Sequence, residues 1–576
     1  MPPPRDLLAR APRRDGEPGD CIDRAVGRGT FHSHNSPDCT LNLSRVFTAL
    51  RRHLPIAGSL ATAAFCVVSS ARAQTPLLWG GLKPGPYAVG FRLQYKLDHS
   101  REYDPEFVTD LTHFPVHRPR PIIIGIWYPA QKTSASRMPY RQYLDVSPGP
   151  GPLAPFARRL ASALRDVIGE ETTGHSPEAM IPAETKAFEQ LLVTKTAAVK
   201  DAPAAHGGFP VLLYHPGLAG TYEDNSALFE YLASRGYIVL SSAYPDPDAS
   251  SVLIGGDIAG SFADLDFLVT FARTLPTADA DRLGVMGHSY GAWVSFAWTA
   301  KGGSPIRALI TLDSGFEYDS LSAGPELLQL HMRLNQNNIR AATLRVASTE
   351  RQPHFEYLDP YLQFVPRYEA SITSLTHNDY LTHGAIRPDL LPEKWPDARK
   401  DRRASYDRLS EVIFNFLDVT LKQRPEAGAF LSQRVADSAT DDRLHLRFKA
   451  ATPRPPTQRQ MALYLRHYGA ERAIAMLRAF PVRAESKIVG GIIALLNDDD
   501  ITTALPSLLL AEQNYPKNAG IQAMLGRVLA RTGDKTGAER AYRKALVLLP
   551  DDNTVGGLRP YWKSQIERGL KELGAQ

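Results

Sequence analysis

The chain has 576 residues, 43% of them hydrophobic and 22% charged, with 66 Lys+Arg against 61 Asp+Glu and a formal net charge of +5. That composition is ordinary for a globular protein, and the length allows two to four domains with sizeable cores. Residues 1–73 hold ten Lys/Arg and six Asp/Glu, so the rest of the chain carries 56 basic and 55 acidic residues, and no basic patch points to a nucleic-acid partner.

The first recognisable element is "LSRVFTALRRHLPIAGSLATAAFCVVSSARAQTP", which starts at Leu43. Arg45, Arg51 and Arg52 precede an uncharged apolar run over 54–68, and Ala71-Arg72-Ala73 places small residues where a signal peptidase reads. This is the layout of a secretory signal peptide, predicting cleavage before Gln74 and a periplasmic or secreted protein. The run is short for a membrane span, and an uncleaved signal anchor is the alternative. Residues 1–42 match no targeting segment and are expected to precede the physiological start, with Val46 one candidate for it. Cys21, Cys39 and Cys66 all fall before the cleavage point, so no disulfide or thiol chemistry is expected in the exported chain.

From residue 74 to 424 the pattern alternates strands and helices. "PIIIGIWYP" (121–129) and "FPVLLYHPG" (209–217) are apolar runs closed by Pro or Gly, which suits buried strands. "NSALFEYLASRG" (225–236) reads as an amphipathic helix and "YIVLSSAYPD" (237–246) as a strand. A helix over 258–275, a strand over 281–287 and a helix over 293–301 follow. Strands are expected over 306–315, 341–349 and 368–377, and a closing helix over 405–422. The alternation predicts an α/β fold: a mostly parallel sheet with helices on both faces. Two helical insertions interrupt it, 131–208 and 316–340, read either as lids over a site or as packing.

Residues 425–455 are rich in Pro, Arg and Ala and read as a linker. Residues 456–576 read as a small all-helical domain. Within "IQAMLGRVLARTGDKTGAERAYRKALVLLP" (521–550), Leu525-Gly526, Leu529, Gly533, Ala538, Tyr542, Ala545 and Pro550 fall at tetratricopeptide spacing, with degenerate repeats expected over 501–518 and 469–481. A protein partner held by such repeats is one expectation, and packing against the first domain is the other.

The chemistry concentrates in "LGVMGHSYGAW" (283–293). Gly-x-Ser-x-Gly alone is weak evidence, but here a strand pattern runs into Gly287-His288-Ser289-Tyr290-Gly291 and a helix pattern follows. Strand, tight turn and helix are the context that exposes a serine nucleophile. The hydroxyl needs a base, and the base needs an orienting carboxylate. With the order Ser, acid, His, the base lies after the elbow at the end of a late strand. "SITSLTHNDYLTHG" offers His377, where the strand pattern ends, with His383 as alternative. His288, next to the serine, reads as packing. For the acid, Asp313 in "LITLDSG" and Glu350 in "LRVASTE" each close a strand, and the pattern leaves both open. The oxyanion hole should combine the N–H of Tyr290 with that of Leu218 in the earlier loop "YHPGLAG" (214–220), which leaves His215 structural.

These stretches, together with "GPYAVGF" (85–91), "IWYPA" (126–130) and "THNDYL" (376–381), resemble the platelet-activating-factor acetylhydrolase branch of the α/β-hydrolases and its dienelactone-hydrolase-like relatives over residues 85–420. The resemblance implies an α/β-hydrolase fold, Ser289 as nucleophile, His377 as base, Leu218 and Tyr290 as oxyanion donors, and Asp313 rather than Glu350 as acid. It departs in the HPGL loop, where HGLG is usual, in the helical insertions and in the repeat tail. It implies a serine hydrolase cleaving carboxylic esters of short acyl chains on small-molecule or lipid substrates, which the signal-peptide layout makes an exported one. No cofactor is expected, and no metal-ligand spacing competes. A peptidase or acyltransferase on the same residues is the first rival. A tetratricopeptide scaffold with a vestigial hydrolase domain is the second.

Overall fold

The computed structural model describes residues 77–574 apart from 104–117, 247–251, 319–333, 336, 397–398, 479, 481–483 and 555. The expected signal peptide, the three cysteines and most of the second insertion lie outside the described residues. Ten described strands form one sheet: β1 (Ala88–Tyr103), β2 (Arg118–Ala130), β3 (Ala198–Lys200), β4 (Phe209–His215), β5 (Ile238–Ser242), β6 (Ala278–His288), β7 (Ile306–Leu312), β8 (Ala342–Ser348), β9 (Arg367–Ile372) and β10 (Leu444–Lys449). Their order is β10-β9-β8-β7-β6-β4-β5-β2-β1-β3. The run from β9 through β5 is parallel, while β2 joins antiparallel to both β5 and β1.

A central parallel strand is covered on both faces, so it reads as an unbroken apolar run. Every residue of β4 is buried, and its side chains divide by alternation. Leu212 and Tyr214 join one core with Met286, Ile310 and Val346, whereas Val211 and Leu213 join the other with Val285 and Leu309. The first core is covered by the helices Ser226–Ser234 and Arg399–Leu421, the latter through Leu409, Val412, Ile413, Phe416 and Leu417 at helical spacing. The second lies under Ile258–Ala272, through Leu265, Leu268 and Val269, and Tyr290–Ala300, through Val294 and Trp298.

The insertion between β2 and β4 holds the helices Ala154–Thr173 and Pro182–Val193 and the short β3. Phe156, Leu160, Leu164 and Ile168 of its longer helix enter the first core. Glu184 accepts from His175 Nδ1 at 2.8 Å and from Lys394 Nζ at 2.9 Å, tying the insertion to the segment before Arg399.

One expectation is corrected. Residues 425–455 are not a linker: they form a helix, Pro425–Asp437, and the edge strand β10, antiparallel to β9. Leu444 and Leu446 point into the first core while His445 and Arg447 face out, a period of two that the flanking arginines and prolines mask.

Beyond residue 456 the described elements are helical: Gln458–Leu477, bent at Gly469 (φ 76°, ψ 165°), then Ala484–Asn497, Ile501–Asn514, Ala519–Arg531, Lys535–Leu548 and Arg559–Glu572. They share a core of their own around Leu465, Ile492, Leu508, Leu525, Tyr542 and Ile566. Ala519–Arg531 and Lys535–Leu548 make a helical hairpin, and a Cβ on Gly526 would lie 2.7 Å from the Tyr542 ring.

Candidate active site

Strand β6 ends at His288 and the next helix begins at Tyr290, so Ser289 alone makes the joint. Its backbone adopts φ 53° and ψ −121°, a conformation uncommon for a residue with a side chain. Such strain costs of order 1–3 kcal/mol and persists where the surroundings over-determine it. Here the Ser289 N–H donates to the Leu312 carbonyl at 2.9 Å, fixing the turn to β7. A Cβ on Gly291 would lie 2.0 Å from the His215 carbonyl oxygen and 2.3 Å from that of Pro216. The helix can therefore approach the end of β4 only with glycine at this position.

The three residues expected to act together are brought into one line. His377 opens the turn His377–Tyr380 after β9. Its Nε2 lies 2.9 Å from Ser289 Oγ and its Nδ1 2.5 Å from Asp313 Oδ2. Asp313 follows β7 and is buried, with φ 51°. Its second oxygen accepts from the Tyr318 hydroxyl and from the Ser348 N–H at 3.4 Å. Burial pushes the Asp313 carboxyl up, but the donors from His377 and Tyr318 outweigh it and hold it below the usual carboxylate range. The group is thus ionised at neutral pH and faces a ring nitrogen that donates to it.

The alternatives take other positions. Glu350 is exposed on the turn after β8, its backbone N–H on Ser348 Oγ at 3.3 Å, with no hydrogen bond or ion pair to His377 among the described residues. His383 is buried with Nε2 on the Tyr140 hydroxyl, and burial pulls it down to about 3. It is neutral and enclosed.

The loop after β4 lies against Ser289: a Cβ on Gly217 would be 3.2 Å from Ser289 Cβ. Within it the Gly220 N–H donates to the Gly217 carbonyl at 3.0 Å and the Ala219 N–H to Ile254 at 2.9 Å. The Leu218 side chain is 57% exposed. Tyr290 starts the following helix, its hydroxyl donating to the Gly256 carbonyl at 2.7 Å. The N-terminus of that helix favours negative charge beside Ser289. His215 is buried, stacked on Tyr244 at 4.0 Å, and donates through Nδ1 to the Pro216 carbonyl at 2.8 Å.

Two contributors escape sequence reasoning. His288, read as packing, directs Nε2 to the main-chain carbonyl of His377 at 2.8 Å, with ring centroids 4.7 Å apart. Burial pulls it down to about 4, so at neutral pH it is an uncharged donor that braces the turn bearing His377. Tyr318 is the other; its hydroxyl also accepts the Ser348 N–H at 2.7 Å. Its only sequence signal is a place five residues after Asp313, and the turn Gly315–Glu317 is what swings it back.

A curated relative, the "Probable 1-alkyl-2-acetylglycerophosphocholine esterase" of Arthroderma benhamiae, is 26% identical over 140 residues, 22% of this chain and 36% of the relative. The matched segment thus spans about a third of that protein's length. A solved structure, a ferulic acid esterase from Streptomyces cinnamoneus, is 18% identical with a TM-score of 0.40, covering 59% of this chain and 91% of the esterase. A family model described as alpha/beta hydrolase fold matches residues 210–403, the segment holding Ser289, Asp313 and His377. With its mostly parallel sheet clad by helices on both faces, the chain has the alpha/beta hydrolase fold.

Proposed function

We propose that this chain is an exported serine hydrolase that cleaves carboxylic esters through an acyl-enzyme. One observation carries the reading: a continuous series from Ser289 Oγ through the His377 ring to the buried carboxylate of Asp313, at 2.9 and 2.5 Å. In it Ser289 Oγ attacks the ester carbonyl while His377 Nε2 takes its proton. The tetrahedral oxyanion is received by the N–H groups of Leu218 and Tyr290. His377 then returns the proton to the leaving alcohol as the carbonyl re-forms. Water, deprotonated by the same imidazole, releases the acid and regenerates Ser289. Asp313 holds the Nδ1–H and stabilises the imidazolium throughout. The curated relative's name supports small acyl groups, since it denotes an acetyl ester of a lipid. The helices after residue 456 are read as tetratricopeptide-like, packing against the first domain or, as the alternative, holding a protein partner.

The test is hydrolysis of p-nitrophenyl esters from acetyl to decanoyl by protein recovered from the exported fraction, with its N-terminus expected at Gln74. Ser289→Ala should lower kcat by up to about 10⁶. Activity that survives the substitution would remove Ser289 from the mechanism, and a preference for decanoyl would overturn the short-chain reading.

A further inference from the structure

The turn that carries His377 is held from outside the sheet. Asn378, the next residue, extends its side-chain amide to the inserted helix Ala154–Thr173, where Nδ2 lies 2.8 Å from Glu171 Oε2 and 3.1 Å from Oε1. The helix is part of a segment that interrupts the alternation of strands between β2 and β4. It is anchored at Phe156, Leu160, Leu164 and Ile168 in the core, so its last turn is a fixed point. Burial raises the half-buried Glu171 carboxyl above its ordinary value, with Arg387 and then Asn378 opposing, and His377 is near enough to favour its ionised form.

We propose that Glu171 is a positioning residue for His377: through Asn378 it sets the orientation of the turn bearing the base, and it adds a second carboxylate to the surroundings of the imidazole beside that of Asp313. The proposal rests on the reading of His377 as the general base. It gives the insertion a defined task, the holding of the base. The other ionisable groups facing the pair do not remove the effect. His288 beneath the ring is neutral. Arg351 lies 3.7 Å from Asp313 Oδ2 and is half exposed. Arg387, paired with Asp379 at 2.9 Å, also favours the ionised form of Glu171, so it offsets part of that charge without removing it. Glu170 adds like charge to Glu171, and burial pushes the Asp224 carboxyl well above its ordinary value, away from the charged form.

The sign follows directly. Imidazolium is the inactive form of the base, and a neighbouring carboxylate favours it. Removing that charge therefore moves the acid limb of the pH profile to lower pH. The experiment measures the rate at which a fluorophosphonate labels Ser289 in the full chain, from pH 5 to 9, for wild type, Glu171→Gln and Glu171→Ala. Glu171→Gln keeps an oxygen to accept from Asn378 and loses the charge. Its acid limb should fall by about half a pH unit, less than the one to three units or so of a contact pair because water screens the site. Glu171→Ala loses the tether as well, and its maximal rate should drop about tenfold further. An acid limb in Glu171→Gln that superimposes on wild type, or moves upward, overturns the proposal. Equal maximal rates for Ala and wild type overturn the tether. If Glu171→Ala fails to fold, the Gln profile alone decides. Wild type that takes no label at Ser289 removes the serine reading itself, which is a different failure from a labelled wild type with an unmoved Gln profile.

Discussion

At the scale of single residues, two strained positions face each other across the site. Ser289 and Asp313 have φ near 50°, and each is pinned by its own N–H, to Leu312 and to Val346 at 2.9 and 2.8 Å. These bonds link the ends of β6, β7 and β8 in sequence, so the strained turns are set by the parallel register itself. Gly291 allows the third contact, with the end of β4. Carbonyl oxygens at 2.0 and 2.3 Å belong to backbone that the sheet holds, so they cannot move aside for a methyl group. Gly291→Ala is therefore expected to destabilise by about 3 kcal/mol or more and to abolish activity. Thermal unfolding followed by circular dichroism measures it, and a melting temperature equal to wild type would mean that the elbow relaxes.

Strand β10 shows at the scale of an element how a segment of unpromising composition completes a sheet. It is separated from β9 by three α-helices, Thr382–Leu390, Arg399–Leu421 and Pro425–Asp437, and only its pairing reveals its purpose. Arg345 on β8, Glu369 on β9 and Arg447 on β10 stand in register across the three strands. Glu369 is buried and takes Arg345 at 2.7 Å, Lys449 at 3.1 Å and Arg447 at 3.3 Å. A buried carboxylate needs such partners, and β10 supplies two of them. On the opposite face Leu446 is fully buried. Leu446→Ala should cost about 2–4 kcal/mol in denaturant unfolding, the loss typical of a core leucine. A cost within about 0.5 kcal/mol, as for a surface change, would mean that the strand adds little to the domain.

Over the whole molecule, buried acids with raised pKa values are built into the interior. Glu230 accepts from Trp79 Nε1 at 2.7 Å, Tyr143 OH at 2.6 Å and the Ala197 N–H at 2.9 Å, joining the chain's first described turn and the insertion to the helix Ser226–Ser234. Burial pushes Glu230 to about 7 and Glu223, in the loop that carries Leu218, to about 8, from 4.5. A raised folded value means that the stabilisation is complete below about 4.5 and is lost as the pH rises through about 8. The domain should accordingly weaken on the alkaline side. Glu223→Gln, which stays neutral, should flatten the decline in melting temperature between pH 5 and 9. An equally steep decline in the variant would place the alkaline loss elsewhere. The helical region after residue 456 draws on its own core instead.

Much of this was legible from the amino-acid order. The buried strands, the helices between them and the Gly-x-Ser-x-Gly joint depend on local periodicity and on turns a few residues long, and they stand where the patterns put them, although the helix Ser226–Ser234, read as amphipathic, is buried on every side. Ser289, Asp313 and His377 could be nominated because each closes a strand pattern, and the ends of neighbouring parallel strands meet on one edge of a sheet. The choice of Asp313 over Glu350 was open to the pattern and needed the family resemblance. In the structure the distance from His377 separates them, a matter of which strand end faces which. Strand β10, the brace from His288, the Tyr318 hydroxyl on Asp313 and the grip of Glu171 on Asn378 left no usable trace. Apart from Tyr318, these are contacts between segments tens to hundreds of residues apart, and even its five-residue link to Asp313 depends on how one turn closes. Local sequence determined which elements form and which residues end them; tertiary packing decided which of those ends meet, because pairing and side-chain contact depend on the register of the whole sheet.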